Sequence, residues 1–319
     1  MVALSERIPI IILGGRDARV GELPAGVEGL HPLAGYKGIA VHIGERKLID
    51  CVVERLEQSG LFAPIFIAGP RSVYAESLRS ASVIDVSGSI DETLRAGIEA
   101  VSREHPGEPL AVTSCDVLPE LDTLERLVAE YRSVAPCDAF LPMIRMPEDR
   151  AALGASAYKP TYRLLPEAGG AGVEVLPCHL AVVDVQALRM NFIYRVMGLI
   201  YRTRNRPIEY RRSVMLRGII FELLRQDLRH LLALRLPNLT WTVLHSGLPA
   251  VKALKAGTIT GAQLEDAVRK IFVTARHRRD YPARRVLMPV LEGLSLALDI
   301  DTEEEAREQG AGLAPPDPP

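Results

Sequence analysis

An unbroken apolar run, Ile8 to Leu13 apart from Pro9, stops at Gly14-Gly15 and is followed by Arg16, Arg19 and, further on, Lys37. Glycine has no Cβ, so a chain that turns at Gly14 and Gly15 can bring its N–H groups close to an anion, while the three cations neutralise phosphate charge. These residue types in this order suit a polyphosphate. A second position with chemical potential is Asp116, where Leu110-Ala111-Val112-Thr113-Ser114 ends in Cys115-Asp116. A carboxylate at the carboxyl end of a buried strand lies where open α/β sheets bind ligands. Its hard oxygens suit Mg²⁺, which takes one or two protein carboxylates and completes its shell with substrate phosphates and water. The third is Asp299-Ile300-Asp301-Thr302, in which Thr302 and Glu305 have the spacing of a capping box and put Asp301 at the junction into a helix. Cys115 has no partner histidine in view and reads as a core thiol rather than a nucleophile.

A sheet is needed to bring these residues together. Ile8 to Leu13 reads as the fully buried first strand of a parallel sheet, with further strands at Pro64 to Ala68, Val83 to Val86, Leu110 to Ser114, Cys137 to Met143 and Leu180 to Val185. A short strand is expected at Ile39 to Ile43, a last one in the apolar stretch from Leu294, and a hairpin from Tyr158–Leu165 across Gly169-Gly170-Ala171-Gly172 to Val173–Leu176. Helices are expected at Lys47 to Ser59, stopped by Gly60, and at Ile90 to Arg103, where Ser89 and Glu92 form a capping box. Ser87-Gly88-Ser89 then faces the same sheet edge as the glycine loop. Asp122 with Glu125 reads as the cap of the helix after Asp116.

From about 188 to 286 the strand-like alternation gives way to amphipathic helical patterns. Over 215–236, Met215, Leu216, Ile219, Ile220, Leu223, Leu224, Leu228, Leu231 and Leu232 recur at three and four, with Arg217, Glu222, Arg225 and Arg229 opposite; another helix runs from Thr260 to about Arg276. This insertion is locally basic, with Arg189, Arg195, Arg202, Arg204, Arg206, Arg211 and Arg212 at one end and Arg276 to Arg285 at the other. It reads as a cationic lid over an anionic acceptor, as a peripheral contact with anionic lipid, or as a solvated helix face. Nucleic acid is not expected: the formal net charge of -2 gives no global attraction, and Phe192, Tyr194, Tyr201 and Tyr210 have the spacing of core residues. Four cysteines without a Cys-x-x-Cys argue against a zinc knuckle or disulfide framework and point to a reducing cytoplasm. No apolar run approaches the roughly 18 residues of a membrane span, and the first residues lack a signal-peptide pattern.

The order Leu13-Gly14-Gly15-Arg16-x-x-Arg19-x-Gly21, then Lys37, then Ile43-Gly44-x-x-x-Leu48-Ile49-Asp50, closed by Asp299-Ile300-Asp301-Thr302, resembles the nucleotidyltransferases of the molybdenum cofactor guanylyltransferase (MobA-like) type. The likeness covers roughly Ile8 to Val185 and Ser295 to Arg307. Gly21 to Tyr36 is longer than usual there, and Tyr36 stands where a proline commonly precedes the lysine. The resemblance implies one three-layer α/β/α, Rossmann-like domain of the GT-A type over 1–308 with a mostly parallel sheet; the helical insertion lies outside it except as a known kind of variation, and the Gly/Pro-rich composition of 309–319 reads as a disordered tail. It implies Mg²⁺-dependent transfer of a nucleoside monophosphate from an NTP, CTP or GTP first, to a phosphorylated small molecule, releasing pyrophosphate. In that scheme Leu13, Gly14, Gly15 and Arg16 or Arg19 hold the β and γ phosphates and Lys37 the α phosphate. Ser87, Gly88 and Ser89 touch the base or ribose. Asp116 and Asp301, with Asp299 as alternate, hold the metal, and His179 meets the acceptor. A GT-A-type glycosyltransferase using a nucleotide sugar is the alternative, although Ser114-Cys115-Asp116 stands where its Asp-x-Asp is usual. A non-catalytic nucleotide-binding module is a further alternative.

Overall fold

The computed structural model describes residues 6–17, 23, 26–77, 80–167, 169–203, 218, 221–225, 227–228, 231–232 and 239–311. In chain order its strands are β1 (Ile8–Leu13), the short pair β2 (His42–Ile43) and β3 (Arg46–Lys47), β4 (Phe62–Gly69), β5 (Ser82–Asp85), β6 (Leu110–Ser114), β7 (Ala139–Phe140), β8 (Met143–Arg145), β9 (Tyr162–Leu164), β10 (Val173–Pro177), β11 (Ala181–Val183), β12 (Val286–Leu287) and β13 (Val290–Leu291). Seven strands pair in the order β12-β7-β11-β6-β1-β4-β5, with β11 alone antiparallel to its neighbours. A second sheet has the order β13-β8-β10-β9 and contains the expected hairpin as β9 and β10.

Alternation along the central strands sets the layers. Ile10, Ile12, Ile65 and Ile67 join one core with Leu48, Val52 and Leu56 of the Leu48–Ser59 helix and Leu124 and Leu127 of the Leu121–Val134 helix. Ile11, Phe66 and Ala68 join the other, with Leu94, Ile98 and Val101 of the Ile90–Glu104 helix and Tyr194 of the Met190–Thr203 helix. A strand covered on both faces must be apolar at successive positions, which is why β1 shows no polar alternation. The architecture is thus the expected mixed α/β one, with a mostly parallel sheet between helical layers. Leu13 lies opposite both Ala68 and Ser114, and Ala68 opposite Ile84. The chain therefore leaves β1, β4, β5 and β6 along one edge, where ligands bind in such sheets.

Some elements differ from expectation. Lys37–Ala40 is a helical turn, so the strand expected at Ile39 begins only at His42. Gly38 allows that turn to press on the end of β6, since a Cβ there would lie 3.3 Å from that of Cys115. Cys137 to Met143 splits between β7 and β8, which belong to different sheets. The stretch from Leu294 is a 3₁₀ turn, Leu294–Leu296, followed by irregular chain rather than a strand. Leu296, Ala297, Leu298 and Ile300 are buried, but the Ile300 N–H donates to the Asp116 carbonyl at 2.8 Å instead of to a neighbouring strand. An apolar run reports burial, not backbone pairing. Glu120, not Asp122, occupies the cap position of its helix; Asp122 pairs with Arg126. The helix expected to reach Arg276 stops at Phe272, because Val273 leaves it to bridge Leu188, and Thr274 caps a new helix, Ala275–Asp280. The last helix, Glu303–Ala311, runs past the point where a tail was expected, and 312–319 lie outside the described residues.

Within the insertion, several cations make structural pairs. Fully buried Asp138 takes Arg269 at 2.8 Å and His277 at 3.1 Å, tying the insertion to the start of β7. Arg284 pairs with Asp184 and Arg195 with Glu222. Of the helix expected over 215–236, positions 218, 221–225, 227–228 and 231–232 are helical; the remainder, with Arg204, Arg206, Arg211, Arg212, Arg217 and Arg229, lies outside the described residues. Leu223 is buried there as expected, whereas Leu224, Leu228, Leu231 and Leu232 are exposed and Glu222 is buried.

Candidate functional site

The glycine loop begins as an extension of the sheet. The Gly14 N–H donates to the Ala68 carbonyl at 2.9 Å, and a Cβ on Gly14 would lie 2.7 Å from the buried ring of Tyr74. Gly14 is there for close packing as well as for the turn. At Gly15 the chain meets the foot of the Ile90–Glu104 helix, where a Cβ would sit 3.6 Å from Ile90 Cδ1. At that helix start the Glu92 carboxylate accepts from the Ser89 N–H at 2.8 Å and from the Ser89 hydroxyl at 3.0 Å. A Cβ on Gly88 would strike Glu92, so Gly88 leaves room for this capping box. Leu13, Gly14 and Gly15 therefore adjoin the segment Ser87-Gly88-Ser89. Arg16 is exposed beside them, and Arg19 lies outside the described residues.

The loop then folds back on itself. Asp17 and Gly35 exchange backbone hydrogen bonds of 2.9 and 2.8 Å, which delivers Lys37 two residues later to the end of β6. There the Lys37 ammonium lies 3.1 Å from Asp17 Oδ2, 3.1 Å from Asp116 Oδ2, and in a hydrogen bond with Asp301 Oδ1. Only 3% of the lysine is exposed. Burial opposes its charge, yet Asp116, Asp301 and Asp17 together raise its pKa well above the ordinary lysine value. Burial likewise works to raise the Asp116 carboxyl, but Lys37 and a hydrogen bond from the Ser114 hydroxyl hold it below the usual range. Cys115, next in the chain, is pushed up to about 12 by burial and stays a thiol at neutral pH.

A second ion cluster backs the first. Lys159 Nζ is 2.6 Å from Asp299 Oδ1, 3.1 Å from Glu305 Oε1 and 4.0 Å from Asp301 Oδ2, and His179 Nε2 is 3.7 Å from Asp299. Burial would lower the Lys159 pKa, but these carboxylates raise it; burial would raise the Asp299 carboxyl, but Lys159 and His179 lower it. Glu305 also caps its helix, accepting from the N–H groups of Asp301 at 2.6 Å and Thr302 at 2.9 Å. The carboxylate that orients the Asp301 turn is thus the one that holds Lys159.

The same turn closes over the long loop before Lys37. The Leu33 N–H donates to the Asp301 carbonyl at 2.7 Å and the Glu303 N–H to the His31 carbonyl at 3.0 Å. The His31 backbone and ring meet Glu304 at 2.7 and 2.8 Å. Hydrogen bonds from His31 hold Glu304 at about 2, and the Glu304 carboxylate raises the His31 pKa in return.

Three of the residues expected from sequence, Lys37, Asp116 and Asp301, meet at one point. Asp299 is a step away with its carboxylate on Lys159, and the third carboxylate at Lys37 is Asp17. Asp17 stands in the glycine loop, but nothing in its local spacing marks it as a partner of Lys37, 20 positions further on. Lys159 is 140 residues from Asp299 and has no local signal at all. Glu305 was visible as a cap but not as an ion partner.

Oxygens of Asp17, Asp116 and Asp301 lie within 4.8 Å of one another. Three carboxylates around one ammonium leave two negative charges, and an oxygen-only donor set of that charge fits a hard divalent cation. Asp17, Asp116 and Asp301 are the residues that would hold it.

No protein-family model matches this sequence, and no curated protein matches it either. Among solved structures the chain is similar to a hypothetical transferase from Thermus thermophilus, with 19% identity over 94% of this chain and 99% of that one and a TM-score of 0.51; this likeness shows a common fold. It is also similar to a 4-diphosphocytidyl-2C-methyl-D-erythritol synthase from Anaerococcus prevotii, at 9% identity over 97% and 98% of the two chains with a TM-score of 0.43. A 2-C-methyl-D-erythritol 4-phosphate cytidylyltransferase from Thermus thermophilus gives 10% identity over 96% and 98% with a TM-score of 0.42. Both scores fall below the level at which fold identity is established.

Proposed function

We propose that this chain is a Mg²⁺-dependent nucleotidyltransferase that moves a nucleoside monophosphate from an NTP, CTP or GTP being the first candidates, to the phosphate of a small phosphorylated acceptor. The observation that carries the proposal is the meeting of Lys37 with Asp17, Asp116 and Asp301 on the sheet edge from which the Gly14-Gly15 loop emerges. An acceptor phosphate oxygen bonds to the α phosphorus while the bond from that phosphorus to the β-phosphate bridge breaks, and pyrophosphate leaves. The acceptor phosphate is already ionised at neutral pH, so no general base or covalent intermediate is required, and catalysis is alignment and charge stabilisation. Lys37 stays protonated and answers the charge that builds on the α-phosphate oxygens. A divalent cation at the three carboxylates would neutralise and align donor phosphate oxygens.

Arg16 lies on the exposed side of the glycine loop, where it would meet the β and γ phosphates. Ser87, Gly88 and Ser89 would meet base or ribose beside it. His179, near Asp299, would contact the acceptor, and Lys159 acts as a positioning residue that fixes Asp299 and the Asp301 turn. The test is pyrophosphate release with Mg²⁺, each of the four NTPs and a panel of sugar and polyol phosphates. Release with one NTP, reduced well over tenfold in Asp116→Ala and Asp301→Ala under conditions where a cooperative melt shows each variant still folded, supports the reading. Wild-type rates in those variants would overturn the site assignment.

A further inference from the structure

Two helical faces of the insertion are turned outward with the composition of a core. Across 221–232 the chain buries Glu222, paired with Arg195 and with Arg225 at 3.2 Å, and turns out Phe221, Leu224, Leu228, Leu231 and Leu232. Phe221 is 69% and Leu232 78% exposed. The helical backbone that continues through Leu239–Thr242, Val243–Gly247 and Leu248–Ala256 turns out Trp241, Leu244, Leu248 and Val251, again at spacings of three and four. The two helices meet through other residues. Leu223 and Leu239 share a small core with Phe192, and the Asp227 carboxylate accepts from the N–H groups of Leu239 and Thr240 at 3.2 and 3.0 Å. Both apolar stripes are therefore outside the contact that joins them, and large apolar side chains turned out at helical spacing in this way mark an interaction face.

The charges at that face indicate what covers it. Of the acids in 218–232, Glu222 is buried in its ion pairs and Asp227 caps the next helix. Residues 239–256 contain Lys252 and Lys255, both exposed, and neither Asp nor Glu. An apolar stripe with an exposed tryptophan and a rim of cations without acids is the composition of a helix lying in a lipid interface. A second copy docking through the same face would bring the Lys252 and Lys255 cations of both copies onto a face whose own segments, 218–232 and 239–256, offer no exposed carboxylate. Among the described residues no helix is long and apolar enough to cross a membrane; a helix with an apolar face on one side and cations beside it lies on a membrane surface.

We propose that the helical insertion docks this protein on an anionic membrane surface. The Phe221, Leu224, Leu228, Trp241 and Leu248 side chains enter the boundary between headgroups and acyl chains, and Lys252 and Lys255 lie among the lipid phosphates. The inference goes beyond the proposed reaction and does not depend on it.

Trp241 is the only tryptophan of the chain and is 66% exposed, so its fluorescence reports on this face directly. The full-length protein is mixed with vesicles of phosphatidylcholine alone and of phosphatidylcholine with phosphatidylglycerol. With the anionic vesicles the protein sediments, Trp241 emission moves to shorter wavelength, and brominated acyl chains quench it; raised salt weakens all three effects. Leu224→Ser with Leu228→Ser, and separately Lys252→Glu with Lys255→Glu, each lower partitioning at least about tenfold while leaving melting unchanged, since all four side chains are outside the core. Trp241 emission that stays unshifted with the anionic vesicles while the protein remains in the supernatant would overturn the proposal. So would a dimer that shields Trp241 in the absence of lipid, which would assign the face to a second copy.

Discussion

Replacing Lys37 with methionine keeps the unbranched apolar stem of the side chain, ends it where the ammonium would begin, and removes one charge from a nearly closed cluster. At 3.1 Å and an effective dielectric of about 20, each pair of Lys37 with Asp17 or Asp116 is worth about 5 kcal/mol of Coulomb attraction. Two carboxylates within 4.8 Å of each other repel by at least about 3.5 kcal/mol on the same scale. Without the ammonium, three such groups cannot all remain ionised, and one takes up a proton. After that relaxation, unpairing a buried ion costs about 3–5 kcal/mol, or roughly 4–8 °C of melting temperature for a chain of 319 residues. Lys37→Met should lose that much in EDTA. Part of it should return as the pH is lowered to about 5, because the perturbed carboxyl, now raised, binds its proton in the folded state but not in the unfolded one. Mg²⁺ should narrow the gap to wild type further, since a divalent cation supplies the missing charge. Thermal melts of both proteins, with EDTA or Mg²⁺ across this pH range, measure all three effects. A variant that melts with wild type in EDTA, or a Mg²⁺ effect equal in the two proteins, would refute the reasoning.

Gly14→Ala places a Cβ 2.7 Å from the fully buried Tyr74 ring and should cost about 1–3 kcal/mol in denaturant unfolding; adding Tyr74→Leu should recover part of it, and an undiminished single variant would contradict the packing. Asp116 and Asp299 both sit below the ordinary 3.8 in the fold, so their stabilisation is present above 3.8 and is lost as pH falls through their lower folded values. Melting temperature against pH should therefore show their loss only in strong acid, with the dependence flattened in Asp116→Asn; a loss from these two groups centred above 3.8 would be inconsistent. Lys37 lies above its ordinary 10.5, so its contribution is complete below 10.5 and lost only as pH rises through the folded value. Stability should accordingly show no Lys37-dependent decline on the alkaline side below 10.5, as comparison with Lys37→Met across that range would reveal.

The parallel sheet was legible because both faces of β1, β4 and β6 are covered, so the strands are apolar at successive positions and end in Gly, Pro or polar residues. Asp116 and the Asp301 turn could be found for the same reason, as they stand where apolar runs give way to helix starts. The backbone around Asp301 was not legible. Leu296, Leu298 and Ile300 are as apolar as a strand, but the N–H groups of Leu296 and Leu298 bond within their own turn, that of Ile300 donates to the Asp116 carbonyl, the Leu296 carbonyl accepts from the His179 N–H, and side-chain pattern does not register that difference. Asp17 and Lys159 escaped because ion pairing across the fold leaves no mark in local spacing. The outward turn of Leu224 and Leu228 escaped for a related reason. A helical repeat says which residues share a face, and it takes the burial of Leu223 against Phe192 and Leu239, and of Glu222 in its pairs with Arg195 and Arg225, to say which face is inside.

The most direct test of the central claim is calorimetric titration of CTP and of GTP into the protein with Mg²⁺ and with EDTA, repeated on Asp116→Asn. One of the two nucleotides should bind with Mg²⁺, binding should weaken at least about tenfold in EDTA, and the variant should lose this metal dependence. Binding of equal strength with and without Mg²⁺, or unchanged metal dependence in Asp116→Asn, would contradict that claim.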